Sequence, residues 1–431
     1  MADSPREPKM PPRPTPPKRA VPLPPVGGGT AAHDDAEPAW PTEPAAEPEA
    51  PAPAWTTPPQ PLPLPEPPPA RERFEPGPPD GPDPKTMTCP YCLSHFDWNR
   101  APLVDRLPDG TEVPLRPEPD ENPYRWRNRT VNAWRVCQAT GEPHFLPASL
   151  GEMTTLIVGV VGKSGAGKSH LVAAMMEELL QTTLLPQNLD VLPLNPQLQQ
   201  ELFEQNRLGL LRDHKVLPAT RARPELRFAC AYRVSSHDDG RKYALLIFDV
   251  AGEIFTRATV RDQTPFMGIA DALIFVADGS EIDVKPGRQP GDPGFTAVLS
   301  QIDHIRGVAG RPFLPMVAAL VVAKSDTLRV FPEVDRWITR KDDMDLATVE
   351  QESEDVFAFL GRRQAGSWLA PVRKFQDVTL HFASATGGNA HDGEYAEASY
   401  QRQRVLRPLL SLLAMHGVIP RALLGTAGDA S

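Results

Sequence analysis

Residues 162–169 read Gly162-Lys163-Ser164-Gly165-Ala166-Gly167-Lys168-Ser169, between an apolar run at 155–161 and a second apolar run at 171–176. This G-x-x-x-x-G-K-S pattern requires glycines so that backbone N–H groups can curl around phosphate oxygens. Lys168 then reaches the β- and γ-phosphates, and the hydroxyl of Ser169 reaches magnesium. The flanking runs favour a buried strand, a phosphate-binding loop and a helix over an ordinary glycine-rich turn.

Composition divides the chain into four segments. More than half of the 53 prolines lie at 1–85, where too few aliphatic residues are present to offset the entropy of folding. We predict a disordered Pro-rich arm at 1–85, a small zinc-ribbon-like module at 86–150, an α/β domain at 151–420 and a flexible tail at 421–431. Runs such as 61–65 favour polyproline II, which a partner's groove can bind, although a solvating spacer fits the same composition.

Charge and cysteine content argue against several classes of protein. A net charge of −10 disfavours a general nucleic-acid binder, because such proteins carry a basic face or tail. No apolar run reaches the roughly 18 residues that a membrane helix needs, and the start lacks the apolar core of a secretory signal. Four cysteines, two of them spaced C-x-x-C, fit a reducing compartment. We expect a cytoplasmic protein with no nucleic-acid partner and no integral membrane segment.

The module at 86–150 contains a candidate zinc site. Cys89 and Cys92 form a C-x-x-C turn, which lets two thiolates reach one ion. A structural zinc ion takes four ligands at tetrahedral positions, and Cys137 with His144 completes that set. His95 is the competing fourth ligand. The alternative is a reduced, buried pair of cysteines that holds no metal.

Residues from 154 onward have the pattern of an α/β domain with a mostly parallel sheet covered on both faces. The apolar strand candidates are 154–161, 226–234, 243–248, 271–277, 316–322 and 377–383. Helical patterns are present at 197–211, 342–360 and 400–415. The second and third strand candidates are joined by a turn that contains Asp239-Gly240, which is typical of a hairpin. One edge strand is therefore expected to run antiparallel.

A second motif ends the strand candidate at 243–248. Asp249 follows the apolar run, and a carboxylate at the carboxyl end of such a strand can hold magnesium, usually through a water molecule. Gly252 has no side chain to block the γ-phosphate, so its N–H can bond to that group. Asp249 and Gly252 are thus predicted to contact the magnesium and the terminal phosphate.

Two further strand candidates end in residues suited to a guanine base. Lys324 and Asp326 form a K-x-D sequence, and the Asp326 carboxylate can accept hydrogen bonds from guanine N1–H and from its exocyclic amine. Adenine lacks that pair of donors, so this residue separates GTP from ATP. The aliphatic stem of Lys324 can lie against the base. In the last candidate, Ser384-Ala385-Thr386, the N–H of Ala385 can meet the guanine carbonyl oxygen.

With these four motifs in this order, the chain from about Thr154 to its last helix resembles the P-loop GTPases of the TRAFAC class. The sequences 249–253 and 323–326, behind a cysteine-containing module, are most similar to bacterial double-GTPase domains, proposed to serve in conflict or signalling systems. The resemblance implies the three-layer P-loop NTPase sandwich. The residues expected to bind the nucleotide are Gly162, Lys163, Ser164, Gly165, Ala166, Gly167, Lys168, Ser169, His170, Gly252, Lys324, Asp326, Ser384, Ala385 and Thr386.

The chain departs from the family pattern at three places. Ala323 replaces the Asn or Thr that ties the base loop to the phosphate loop in many GTPases. Glu253 replaces a water-positioning Gln, so it can orient or deprotonate the attacking water but brings negative charge near the phosphate. No sharp motif marks the threonine that caps magnesium, and Thr220 is the candidate because it precedes the second strand.

The predicted function is a GTPase switch. GTP with Mg²⁺ would be hydrolysed to GDP and phosphate with Lys168 and Glu253 as catalytic residues, slowly or with a stimulating partner. Protein partners are expected at the switch regions and at the Pro-rich arm, and Zn²⁺ is expected in the module. The alternatives are an ATP-dependent P-loop kinase or ATPase, and a nucleotide-binding scaffold that does not hydrolyse its ligand.

Overall fold

Strand β7 (Thr154–Val161) lies in the middle of a seven-stranded sheet, and every residue from Leu156 to Val161 is buried. The computed structural model describes residues 86–107, 110–181, 189–195, 209–218, 230–237, 239–249, 265–282, 291–308, 311–340 and 346–419. The predicted arm at 1–85 and the tail at 421–431 lie outside these residues, and the boundary predicted at 150 stays a prediction.

The sheet of the α/β region contains seven strands, which are β7 with β8 (Leu189–Pro193), β9 (Cys230–Ser236), β10 (Lys242–Asp249), β11 (Ala272–Asp278), β12 (Val317–Ala323) and β13 (Val378–Phe382). Their order across the sheet is β13-β12-β11-β7-β10-β9-β8. The pairs from β13 to β10 are parallel. Strand β9 is antiparallel to both of its neighbours. The sequence-based expectation of an α/β fold with a mostly parallel sheet is thus confirmed.

The position of the antiparallel strand differs from the prediction. The turn at Asp239-Gly240 joins β9 to β10 as an antiparallel pair. However, β8 pairs with the other side of β9, so β9 is the penultimate strand and β8 forms the edge. The sequence of β8 contains Asp190 and ends in Pro193, which is tolerated at an edge and gives a weak strand signal.

Helices cover both faces of the sheet. The helices of this region are α2 (Lys168–Gln181), α3 (Gly209–Arg212), α4 (Pro293–Ile305), α5 (Pro332–Ile338), α6 (Leu346–Arg362) and α7 (Arg407–Met415). Successive residues of a strand point to opposite faces, so Val158 and Val160 join a core with α2 and α7. Ile157 and Val161 join a second core with α4, α5 and α6.

The predicted helix at 342–360 is α6, and the predicted helix at 400–415 is the shorter α7. Of the predicted helix at 197–211, residues 209–211 are described and belong to α3, while the rest lies outside the described residues. Among the described helices, none combines the length and the apolar character needed to cross a membrane.

The module at 86–150 contains a hairpin and a small sheet. Strands β1 (Thr86–Thr88) and β2 (His95–Asp97) pair antiparallel. An antiparallel sheet of order β4-β3-β5-β6 is formed by β3 (Leu103–Arg106), β4 (Glu112–Pro114), β5 (Trp134–Cys137) and β6 (His144–Pro147). Helix α1 (Pro123–Thr130) is capped by Asn122, whose side chain accepts the N–H of Tyr124 at 2.8 Å. Trp98 and Leu146 of this module are buried in the same core as β11 and α4.

Candidate functional site

Four residues of the module form a cluster that can bind a metal such as zinc. The ligand atoms of Cys89, Cys92, Cys137 and His144 all lie within 4.8 Å of one another. The turn between β1 and β2 carries the first two, β5 ends at the third and β6 begins at the fourth. Antiparallel pairing sets Cys137 opposite His144. The predicted ligand set is therefore brought together by the topology of the module.

The distances in this cluster fit a tetrahedral zinc site. Cys92 Sγ lies 3.8 Å from Cys137 Sγ, and Cys89 Sγ lies 3.7 Å from His144 Nδ1. A Zn–S bond of about 2.3 Å at tetrahedral angles separates two sulfurs by about 3.8 Å, whereas a disulfide separates them by about 2.05 Å. All three cysteines are free thiols. These two distances and the identity of the four donors thus fit Zn²⁺.

The protonation of these thiols depends on burial. Desolvation raises the pKa of Cys89 and of Cys137. At Cys92 burial acts in the same direction, but hydrogen bonds with Ser94 outweigh it and lower the pKa of this thiol. A bound cation favours the thiolate form of each ligand, so metal binding at this cluster releases protons.

His95 is not part of the cluster. The pairing of β1 with β2 sets His95 opposite Thr88, and its Nδ1 lies 2.9 Å from the hydroxyl of that residue. His95 is exposed, while His144 is half-buried under the ring of Tyr91, with the two ring centroids 5.4 Å apart. Of the two candidate fourth ligands, His144 therefore has the required position.

The loop 162–169 connects β7 to α2 and has the conformation that its glycines permit. Gly162 has φ +155°, and a Cβ there would lie 2.4 Å from the carbonyl oxygen of Val276 in β11. Gly165 and Gly167 also have positive φ, at +80° and +91°. The loop can therefore lie against β11 only because residue 162 has no side chain.

Lys168 is buried at the start of α2. Its Nζ donates a hydrogen bond to the carbonyl oxygen of Lys163 at 2.8 Å, which folds the side chain back along the loop. Desolvation lowers the pKa of Lys168, while the carboxylates of Asp249 and Asp292 act in the opposite direction. A buried ammonium group flanked by carboxylates is well placed to meet an anion that enters the loop.

Ser169 and Asp249 meet at the carboxyl end of the sheet. The hydroxyl of Ser169 donates to Asp249 Oδ2 at 2.6 Å. Asp249 ends β10, which is the parallel neighbour of β7. These two oxygens are 80 residues apart in the sequence and form a pair of hard oxygen donors of the kind that magnesium binds.

Residues of the K-x-D and Ser-Ala-Thr motifs line the same cavity as the loop. The cavity has a volume of about 390 Å³. Asp326 Oδ1 accepts a hydrogen bond from the Ser384 hydroxyl at 2.5 Å, and that hydroxyl accepts the N–H of Gly387 at 2.9 Å. The predicted residues that line it are Ser164, Gly165, Gly167, Lys168, Ser169, His170, Lys324, Asp326, Ser384, Ala385 and Thr386.

Other predicted residues lie elsewhere. Ala166 belongs to the loop, but it is fully buried. The backbone N–H of Lys163 donates a hydrogen bond to Asp292 Oδ2 at 2.7 Å, so in this structure that N–H anchors the loop. Thr220, Gly252 and Glu253 lie outside the described residues, so their predicted roles stay predictions.

Three residues at one side of the cavity contact one another, and no sequence motif predicts this contact. The hydroxyl of Tyr395 lies 3.1 Å from His170 Nε2, and the N–H of Leu217 is donated to the same nitrogen at 3.1 Å. Burial raises the pKa of Tyr395. The backbone of Val216 donates to the carbonyl of Gly393 at 2.9 Å, which holds the two segments together. No local motif marks Tyr395, whereas His170 directly follows Ser169.

Asp292 is a second residue that sequence motifs did not reveal. It is buried and caps α4, where its Oδ1 accepts the N–H of Gly294 at 2.8 Å. Asp-Pro-Gly at 292–294 has the pattern of a helix start, but nothing local indicates that the other carboxylate oxygen reaches Lys163.

Comparison with models of known protein families found no match, and comparison with curated proteins found no similar sequence.

Proposed function

We propose that this chain binds GTP with Mg²⁺ and hydrolyses it to GDP and phosphate as a molecular switch on a P-loop NTPase fold. One observation carries the proposal. Lys168 and Ser169 of the glycine-rich loop line the same cavity as Asp326 and Ser384, although these residues come from opposite ends of the α/β region. A phosphate-binding group and a base-reading carboxylate in one cavity suit a nucleoside triphosphate.

The arrangement of Asp326 supports guanine as the base. The Ser384 hydroxyl and the N–H of Gly387 form a chain of hydrogen bonds that holds the Asp326 carboxylate in one orientation. A fixed carboxylate can accept two hydrogen bonds from guanine, and it repels the acceptor N1 of adenine. A site whose buried polar group loses its partner discriminates strongly against the wrong ligand.

Ser169 and Asp249 are the residues that would hold magnesium, and their oxygens, 2.6 Å apart, supply the hard donors that the ion requires. When bound, this ion would neutralise charge on the β- and γ-phosphates. Lys168 would contact the same phosphates, and Glu253 would orient the attacking water. Because Glu253 adds negative charge there, we expect slow or partner-stimulated hydrolysis.

The zinc cluster would have a structural role in this protein. Four protein ligands fill a tetrahedral shell and leave no position for a substrate. We further propose that the protein is cytoplasmic, because free cysteines suit a reducing compartment. Its partners would bind near the cavity and at the Pro-rich arm.

Calorimetry with GTP, ATP and xanthosine triphosphate tests the proposal. Wild-type protein should bind GTP at least a hundredfold more tightly than ATP. Asp326→Asn should weaken GTP binding and improve binding of xanthosine triphosphate, whose C2 oxygen can accept from the Asn amide. Asp335→Asn is the control, since this partly exposed carboxylate of α5 pairs with Arg329. Equal affinities for ATP and GTP would favour the kinase or ATPase alternative and defeat the proposal.

Turnover requires its own measurement. Phosphate release from GTP should need Mg²⁺ and should stop in Lys168→Ala. A wild-type protein that binds GTP but retains it unchanged for hours would support the scaffold alternative. Analysis of the nucleotide that co-purifies with the protein would test the base specificity further, because an adenine nucleotide in place of a guanine nucleotide would indicate another specificity.

A further inference from the structure

We propose that Asp278 is a positioning residue that connects the phosphate-binding loop (162–169) to residues 323–326, here called the base-reading loop. This inference rests on the proposed function. Asp278 ends β11 and is buried. Its Oδ2 accepts a hydrogen bond from Lys324 Nζ at 3.0 Å and lies 3.9 Å from Lys163 Nζ. Its Oδ1 accepts from the N–H and the hydroxyl of Ser280 at 3.2 and 2.6 Å. One carboxylate is thus fixed between a lysine from each loop.

The sheet brings these groups together. Strands β11 and β12 are parallel, and Asp278 pairs in register with Ala323, the residue before Lys324. Gly279 allows the two strand ends to approach, because a Cβ there would lie 2.5 Å from the carbonyl oxygen of Ala323. Any other residue at 279 would require these strand ends to move apart.

Lys163 is held at both of its ends. Its backbone N–H is donated to Asp292, and its Nζ forms an ion pair with Glu281 close to Asp278. Of the two acids near Nζ, Asp278 ends β11 and Glu281 lies in the turn that directly follows it. The second residue of the loop is therefore anchored to β11 through its side chain, and Asp278 connects that anchor to Lys324.

This arrangement accounts for Ala323. An Asn or Thr side chain at this position would bridge to the phosphate-binding loop. The methyl group of Ala323 only packs near Gly167, since a Cβ built at Gly167 would lie 3.9 Å from it. The connection that Ala323 lacks is supplied from the neighbouring strand by Asp278. Lys324 itself has φ +56°, a left-handed conformation that non-glycine residues keep only when their surroundings hold them. The bond to Asp278 is one such restraint.

The tie makes a distinct prediction about ligands. If the proposed function holds, inorganic tripolyphosphate would contact only the phosphate-binding loop, whereas GTP would span both loops. Removing the charge in Asp278→Asn should raise the Kd for GTP about tenfold, which is about 1.4 kcal/mol. The Kd for tripolyphosphate should rise less than threefold. The control is Asp303→Asn, because Asp303 forms a similar pair with Lys374 Nζ at 2.8 Å outside the cavity. It should change neither Kd by more than twofold.

A rescue variant separates positioning from general damage. Adding Ala323→Asn to Asp278→Asn should restore GTP affinity to within threefold of wild type. The inference is overturned if Asp278→Asn binds GTP like wild type, if GTP and tripolyphosphate weaken equally, or if Ala323→Asn gives no rescue.

Unfolding of the nucleotide-free protein separates this inference from the proposed function. Asp278→Asn and Lys324→Met should each lower the stability to urea. The double variant should be no less stable than the less stable of the two single variants. If wild type binds no GTP but this coupling is present, the proposed function fails while the tie between the loops stands. Additive losses would remove the tie itself.

Discussion

Glu352 on α6 is the centre of a fully buried group of charged residues, and its substitution by Gln has a large predicted cost. Its Oε1 accepts the N–H of Phe382 at 3.1 Å and Nε–H of Arg404 at 3.2 Å. Its Oε2 lies 2.8 Å from Arg404 Nη2, 3.2 Å from Arg407 Nε and 3.2 Å from His381 Nδ1. Glu352→Gln keeps the shape but removes the counter-charge of two buried guanidinium groups.

The pKa of Glu352 gives the magnitude. Burial alone would raise this pKa, but contacts with His381 and Arg404 lower it from 4.5 to about 2. At 1.36 kcal/mol per pH unit, the lowered pKa corresponds to about 3 kcal/mol of stability. Because the folded pKa is depressed, this stabilisation is full above pH 4.5 and is lost as the pH falls through about 2. At pH 3 roughly half of it should remain.

Urea unfolding at pH 7 and pH 3 checks this reasoning. Glu352→Gln should lose about 3 kcal/mol at pH 7 and about half of that at pH 3. Glu350→Gln is the matched control, because Glu350 lies on the same helix and is exposed. It should change stability by less than about 0.5 kcal/mol. A loss at Glu352 below about 1 kcal/mol, or one that does not shrink at pH 3, would refute the assignment of the stabilisation to this carboxylate.

Two further predictions concern the cavity and the metal cluster. Lys168→Ala should raise the Kd for GTP at least a hundredfold, about 2.7 kcal/mol, because it removes the buried ammonium group that meets the phosphates; unchanged affinity in calorimetry would contradict the phosphate-binding role. Elemental analysis should find one zinc per wild-type chain and none in Cys137→Ser, while Cys230→Ser, a buried cysteine outside the cluster, should retain the metal. Wild-type protein without stoichiometric zinc would count against the site.

Much of the sheet could be predicted because its strands are continuous apolar runs. The run at 154–161 coincides with β7, and the candidates at 271–277 and 316–322 are displaced by one residue from β11 and β12. Such runs are buried on both faces and need no partner to be recognised. Strand β8 was missed because its residues alternate in burial, so that its pairing with β9 depends on the rest of the sheet.

The site divides in the same way. Residues at or just after the end of a buried strand, such as Asp249 and Asp326, are marked by their position in the sequence. Contacts that cross the fold carry no local signal. Asp292 bonds to a residue 129 positions away, and Tyr395 contacts His170 across 225 positions. Asp278 ends an apolar strand as Asp249 does, but the meaning of its carboxylate depends on the register between β11 and β12.

Aromatic packing joins the metal cluster to the cavity end of the sheet. Tyr91, which lies between Cys89 and Cys92, stacks on His144 and meets the ring of Phe248 edge-on at 6.2 Å. Phe248 stacks on Phe266 at 4.4 Å and directly precedes Asp249. A metal that fixes the cysteine turn therefore also fixes a ring that packs on β10, one residue from the carboxylate that bonds to Ser169. The module belongs to the same hydrophobic core as this strand, so a metal bound at the cluster would stabilise the sheet on which the cavity is built.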